Sequence, residues 1–171
     1  MEQIGTSMQQ AEAEQTEQFL IFQVEKELFG VPILKIQEII GYRDVTPIPN
    51  TPKFLRGVIN LRGIVVPVVD LRRQFGFADR EYDRFNVIVI IHVYGKIMGV
   101  IVDSVRDVIG FSRNAIQPRP EFSSRINTAF ISGVVSRENE MTVLLDLDRV
   151  LTDEQMGILD QVAQENSNKS N

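Results

Sequence analysis

Apolar residues arrive in this chain in short bursts rich in Val, Ile and Phe, separated by charged or glycine-containing turns. The first burst, Phe19-Leu20-Ile21-Phe22-Gln23-Val24, runs into the charged turn Glu25-Lys26-Glu27. Runs of this length and composition, bounded by turn residues, predict strands. They fall at 19–24, 28–33, 36–42, 57–61 and 64–69, and again at 87–94, 97–102, 105–111, 131–136 and 141–146. Five short strands per half, spaced too closely for helical crossovers, predict a mostly β chain of small antiparallel barrels rather than a parallel sheet. Pro67 withholds one ladder donor, which places its strand at an edge or at a bulge.

Helix is sparse. Asp70 can cap a short turn that Gly76 stops, and Asp146 to Leu151 can repeat it. The one longer helix is expected from Thr152 to about Ala163: Thr152 and Gln155 have capping-box spacing, and Met156, Leu159 and Val162 or Ala163 make an apolar stripe. That helix should lie against a lobe. Residues 1–17, dominated by Gln, Glu and Ala, are expected to be a mobile tail, and 161–171 a frayed end. Residues 76–84 are dense in charge and read as a surface connector.

The halves repeat each other. Residues 29–41 align with 98–110 at a shift of 69, matching glycine, valine, isoleucine, acid and glycine, and 68–75 align with 144–151 at a shift of 76. A duplicated unit predicts one domain over 18–160, made of two similar lobes with a seam between them and approximate repeats at 19–75 and 87–151. Function in such a chain belongs to surfaces and seam more than to a reaction centre.

Composition narrows the function classes. With 171 residues and 43% hydrophobic, the chain can bury one good core or two small ones. A net charge of −5 and a pI near 5.0 disfavour the leading alternative, a nucleic-acid-binding module of paired barrels, because neutralising phosphates takes an excess of Lys and Arg on some face. The chain has no cysteine and one histidine, so neither disulfides nor a Cys- or His-rich metal site is expected, and no cofactor is implied. The first residues lack the basic flank and apolar run of a signal peptide, and no stretch approaches bilayer-spanning length, so a cytoplasmic protein is expected.

Spacing yields no P-loop, GxGxxG, GxSxG or HExxH. His92, between Ile91 and Val93, reads as a surface or half-buried strand histidine rather than a phosphoryl acceptor or base. Asp146 with Asp148, and Glu81 with Asp83, read as turn residues rather than catalytic dyads. Glu38 within Ile36-Gln37-Glu38-Ile39-Ile40 and Arg62 within Asn60-Leu61-Arg62-Gly63 stand out as charges in apolar surroundings. Either both face water or they form an ion pair that fixes the Arg62 turn, in which case reversing a charge should harm binding more than folding. The apolar residues 33, 36, 39, 40, 105, 108 and 109 occupy both parities of their strands. A small barrel has room inside for one parity, so the other must meet the sister lobe or another protein.

The ordered set Phe29-Gly30-Val31, Lys35-Ile36-Gln37-Glu38-Ile39, Asn50-Thr51-Pro52, Gly57-Val58-Ile59-Asn60-Leu61-Arg62-Gly63, Val66-Pro67-Val68-Val69-Asp70-Leu71 and Gly99-Val100-Ile101-Val102-Asp103 closely resembles the CheW family of bacterial chemotaxis coupling proteins. The likeness runs from about Phe19 to Leu159. It implies a pair of intertwined five-stranded SH3-like β-barrels with short helices, a hydrophobic groove between them, and no catalytic activity. It implies two partners: the regulatory domain of the histidine kinase CheA, and the cytoplasmic tips of methyl-accepting chemoreceptors, through which the chain is recruited to membrane arrays. By the family pattern, Ile33, Ile36 and Ile39 resemble the kinase-binding surface, and Glu38, Val45, Gly57, Arg62, Val87 and Val108 the receptor-binding one.

Overall fold

A computed structural model describes residues 16–118 and 128–169. Its strands are β1 Thr16–Val24, β2 Glu27–Pro32, β3 Ile36–Gly41, β4 Leu55–Leu61, β5 Ile64–Asp70, β6 Val87–Val93, β7 Lys96–Val102, β8 Ser104–Ser112, β9 Ile131–Arg137 and β10 Glu140–Leu145. Two α-helices follow β5 and β10, α1 Leu71–Gln74 and α2 Asp153–Lys169. Every strand expected from the hydrophobic pattern forms, shifted by no more than a few residues at its ends.

Two five-stranded sheets result. Lobe A has the order β8-β1-β2-β10-β9 and lobe B the order β3-β6-β7-β5-β4. Exchange each strand for its counterpart in the other repeat, β1 for β6 and so on, and one order becomes the other. Each lobe therefore takes a hairpin from one repeat and three strands from the other, so the lobes do not coincide with the stretches 19–75 and 87–151. The exchange also corrects the all-antiparallel expectation. Of the two pairings between repeats in each sheet, one is parallel, β10 with β2 and β5 with β7, while β1 with β8 and β3 with β6 stay antiparallel.

The barrels are not closed. Among the described residues, one isolated bridge per lobe joins the segment after one edge strand to the other edge strand, Thr46 with Val58 in lobe B and Gln117 with Val134 in lobe A. In both bridges the N–H and C=O groups bond reciprocally at 2.9 Å. The next residues, Pro47 and Pro118, have no N–H with which to extend a ladder. Gly57 lets the lobe B bridge form: a Cβ there would sit 2.1 Å from the Thr46 carbonyl oxygen, and φ is +151°.

Pro67 lies on an inner strand, yet its missing donor costs no ladder bond. Val58, its partner on β4, gives its own N–H and C=O to Thr46, so Pro67 faces the other way. On that side β7 pairs only from Val68 onward.

Parity decides the core. One face of each sheet fills its own lobe: Ile59, Val66, Val68, Ile88, Ile90 and Ile101 in lobe B, and Phe19, Ile21, Phe111, Val135 and Leu144 in lobe A. The opposite faces pack together in the largest cluster, which includes Leu20, Phe22, Phe29, Val31, Val89, Ile91, Val100 and Leu145. Of the second apolar set, Ile36 and Val105 pack between the lobes, whereas Ile39 and Val108 stay exposed, so both outcomes of the parity argument occur.

The helices are capped as the pattern predicts. Asp70 accepts from the Arg72 N–H at 2.9 Å, and Gly76 turns the chain out at φ +81°. Asp146 repeats the cap on a 3₁₀ turn, accepting from the Asp148 N–H at 3.1 Å. Thr152 and Gln155 form the reciprocal capping box, at 3.0 and 3.1 Å. Leu159 and Val162 anchor α2 in the inter-lobe cluster. The helix runs past Ala163 through the stretch expected to fray, because no Gly or Pro follows and the Asn166 side chain donates to the Val162 carbonyl at 2.8 Å. Of the expected N-terminal tail, residues 1–15 lie outside the described residues, and Thr16 already begins β1.

Candidate functional site

The corner where lobe B nearly closes gathers four of the singled-out residues. Leu61 and Ile64 flank a hairpin turn whose central residues, Arg62 and Gly63, have φ of +51° and +87°, as a two-residue primed turn requires. The Asn60 side chain accepts from the Gly63 N–H at 2.8 Å and fixes the turn. Glu38 pairs with Ile90 across β3 and β6, so its side chain shares the inner face of the sheet. There it crosses the mouth of the lobe and accepts two bonds from Arg62, at 2.6 and 3.3 Å. The ion pair forms while Arg62 stays 67% exposed, so it organises the turn and adds little stability. Arg43 adds a bond to the Asn60 carbonyl at 3.1 Å. Val45 and Gly57 lie beneath this corner and are buried.

Ile33, Ile36 and Ile39 occupy the 3₁₀ turn and edge strand next to that corner. Ile36 packs on the inter-lobe cluster, whereas Ile39 is 43% exposed. Val87, half-buried, pairs with Gly41 on the same sheet face as Ile39. Val108 belongs to the other lobe. It sits on edge strand β8 opposite Leu20, the position in its repeat that Ile39 holds in the first, and is 49% exposed. The structure thus joins Glu38, Val45, Gly57 and Arg62 at one corner, sets Ile33, Ile36, Ile39 and Val87 on the adjoining strands, and leaves Val108 as the counterpart of Ile39 across the seam.

Several features escaped the sequence reading. Leu34, in the 3₁₀ turn before β3, is 93% exposed and extends the apolar edge. Arg72 and Asp103 form a buried bidentate pair at 2.9 and 2.8 Å, with Arg72 also on Glu25 at 2.6 Å and on the Ala78 carbonyl at 2.8 Å. They stand 31 positions apart, and no local pattern links them. Asp148, the counterpart of Arg72, lies 3.6 Å from Lys35, one position past Leu34, the counterpart of Asp103. The connector after α1 is fastened by Tyr82, which stacks on Tyr42 at 4.3 Å and donates to Asp70 at 2.6 Å. Burial, and then this bond to a carboxylate, push the Tyr82 phenol well above its ordinary pKa.

His92 is exposed between buried Ile91 and Val93. Among the described residues no group of three or more His, Cys, Asp or Glu could hold a metal ion, and no helix is long and apolar enough to cross a membrane. A cavity of about 370 Å³ lies between α2 and the β5 and β6–β7 strands; its lining is mainly apolar, with the Lys96–Asp160 ion pair at one side.

The arrangement is that of an interaction protein: uncovered apolar edges and an organised charged turn on a twofold-repeated β body. Comparison with known proteins gives the class. Residues 18–155 match the family model of the CheW-like domain, and the chain belongs to the CheW family of chemotaxis scaffold proteins. It is similar to Chemotaxis protein CheW of Klebsiella aerogenes, 40% identical over 86% of this chain and 89% of that one. The protein of the same name from Rhizobium meliloti is 36% identical over 81% and 89%. The solved structure of the scaffolding protein TtCheW from Thermoanaerobacter tengcongensis superposes with a TM-score of 0.73 at 34% identity, over 78% of this chain and 91% of that one.

Proposed function

We propose that this chain is a non-enzymatic adaptor that couples methyl-accepting chemoreceptors to the histidine kinase CheA, working in the cytoplasm and held at receptor arrays by its partners. The observation that carries the reading is the uncovered apolar edge of β3, where Ile39 is 43% and neighbouring Leu34 93% exposed beside the organised Glu38–Arg62 corner. The kinase regulatory domain packs on Ile33, Ile36 and Ile39, a barrel-to-barrel contact. The receptor tip lies at the corner and along the seam, contacting Glu38, Arg62, Val87 and Val108, while Val45 and Gly57 hold the corner in shape. Coupling then follows from linked equilibria: each partner influences the other by the difference in its binding energy between signalling states, typically about 1–3 kcal/mol.

The test is reconstitution of receptor signalling domain, kinase and this chain, with kinase autophosphorylation as the readout. Activity should depend on the chain. Glu38→Lys should abolish receptor retention while leaving the melting temperature within a few °C, because it opposes two exposed charges. Ile39→Asp should remove the kinase. Kinase activity indifferent to the chain, or a Glu38→Lys variant that unfolds, would overturn the proposal.

A further inference from the structure

The two lobes differ at one matched place. In lobe B, Glu38 pairs with Ile90 on β6, and Arg62 opens the β4–β5 turn. In lobe A the matching positions are Asp107, which pairs with Ile21 on β1, and Glu138, which opens the β9–β10 turn at φ +50°. The register is preserved down to the bulge just before the acid. The guanidinium of one lobe is a second carboxylate in the other.

The apolar filling changes with it. Leu61, 5% exposed and packed into lobe B, corresponds to Arg137, which is exposed. Buried Val66 corresponds to Thr142, and Ile64 to Glu140. A cavity of about 230 Å³ opens beside Arg137 and Thr142, the counterparts of Leu61 and Val66, floored by Ile21, Leu28, Ile109 and Phe111. Asp107, Glu138 and Glu140 stand on its rim with Arg106 and Arg137. Arg106 is engaged by Gln23 at 3.1 Å and Glu140 at 3.9 Å. Among the described residues neither Asp107 nor Glu138 is paired with a cation. Three carboxylates against two guanidiniums leave the rim one positive charge short of neutral.

We propose that the mouth of lobe A is a docking site for a protein segment presenting an apolar side chain followed at once by an arginine, the pair that lobe B supplies to itself as Leu61 and Arg62. The apolar side chain enters the floor, and the arginine bridges Asp107 and Glu138 as Arg62 meets Glu38. This site is separate from the faces assigned above to kinase and receptor.

The probe is acetyl-leucyl-arginine amide, titrated into the whole chain carrying labelled Ile and Leu methyl groups and followed by NMR. Saturable shifts are expected at Ile21, Leu28 and Ile109, with Ile59, Ile88 and Ile90 of lobe B unmoved. Acetyl-leucyl-glutamate amide and acetyl-glycyl-arginine amide should each bind about tenfold more weakly, losing the charge pair or the plug. Glu138→Arg installs the lobe B residue at a turn position that already accepts arginine, and should weaken the probe by a similar factor. Should that variant misfold, Glu138→Gln, which removes only a charge, decides by the same loss. No saturable shift, equal binding of the three dipeptides, shifts centred on lobe B, or variants that bind as the unaltered chain does would each overturn the proposal.

Discussion

Replacing Arg72 by Met leaves the Asp103 carboxylate, whose side chain is 7% exposed, without its bidentate partner. The Glu25 N–H at 2.7 Å and Arg80 at 3.6 Å remain to it, so the stranded charge is cushioned but not neutralised in place. The Ala78 carbonyl and Glu25 lose their contacts as well. Breaking a buried pair costs about 3–5 kcal/mol; with two contacts surviving, the lower end applies, about 3 kcal/mol. For a chain of this size that is a fall of about 6–12 °C in Tm. Asp103→Asn should cost somewhat less, because an amide oxygen still accepts the Glu25 N–H. The informative variant is the double one. Urea unfolding of all four proteins, followed by circular dichroism, should give a double variant more stable than the sum of the singles predicts, by an interaction energy of about 2 kcal/mol. Additive losses, or a single Arg72→Met loss below about 1 kcal/mol, would show that the guanidinium acts by packing its stem and not by balancing a buried charge.

Three further outcomes follow from the same geometry. Gly57→Ala should cost more than about 3 kcal/mol in urea unfolding, since its Cβ meets a backbone oxygen at 2.1 Å in a conformation that L residues resist. Gly133→Ala, whose Cβ meets Ile116 Cγ2 at 2.6 Å and the Gln117 carbonyl oxygen at 2.9 Å but without a positive φ, should cost less, about 1–3 kcal/mol. Because the Tyr82 phenol is raised in the folded chain, its contribution is whole below the unfolded value of about 10 and is lost as pH rises above it. Thermal midpoints should therefore drop above that pH, and Tyr82→Phe should flatten the drop.

Much of this could be read from the residues because the signals are local. Alternating Val and Ile runs between turn residues located every strand, and Thr152 with Gln155 located the start of α2. The excess of apolar residues on both strand parities foretold the inter-lobe cluster, since a narrow barrel cannot hold both. Strand exchange was not legible from spacing, because the pattern of a hairpin says which face it buries and not which sheet it joins. Nor was the Arg72–Asp103 pair, formed by residues that only the exchange brings together. At the candidate corner, the Glu38–Arg62 pair was one of two readings left open. Resemblance singled out Val45 and Gly57 without distinguishing a residue that touches a partner from one that holds the surface beneath it; both are buried, as the second role needs.

The shared sheets have a mechanical consequence. Neither repeat can leave the other without first breaking four backbone ladders, β1 from β8, β2 from β10, β3 from β6 and β5 from β7. The two repeats are therefore expected to unfold together as one unit rather than one after the other.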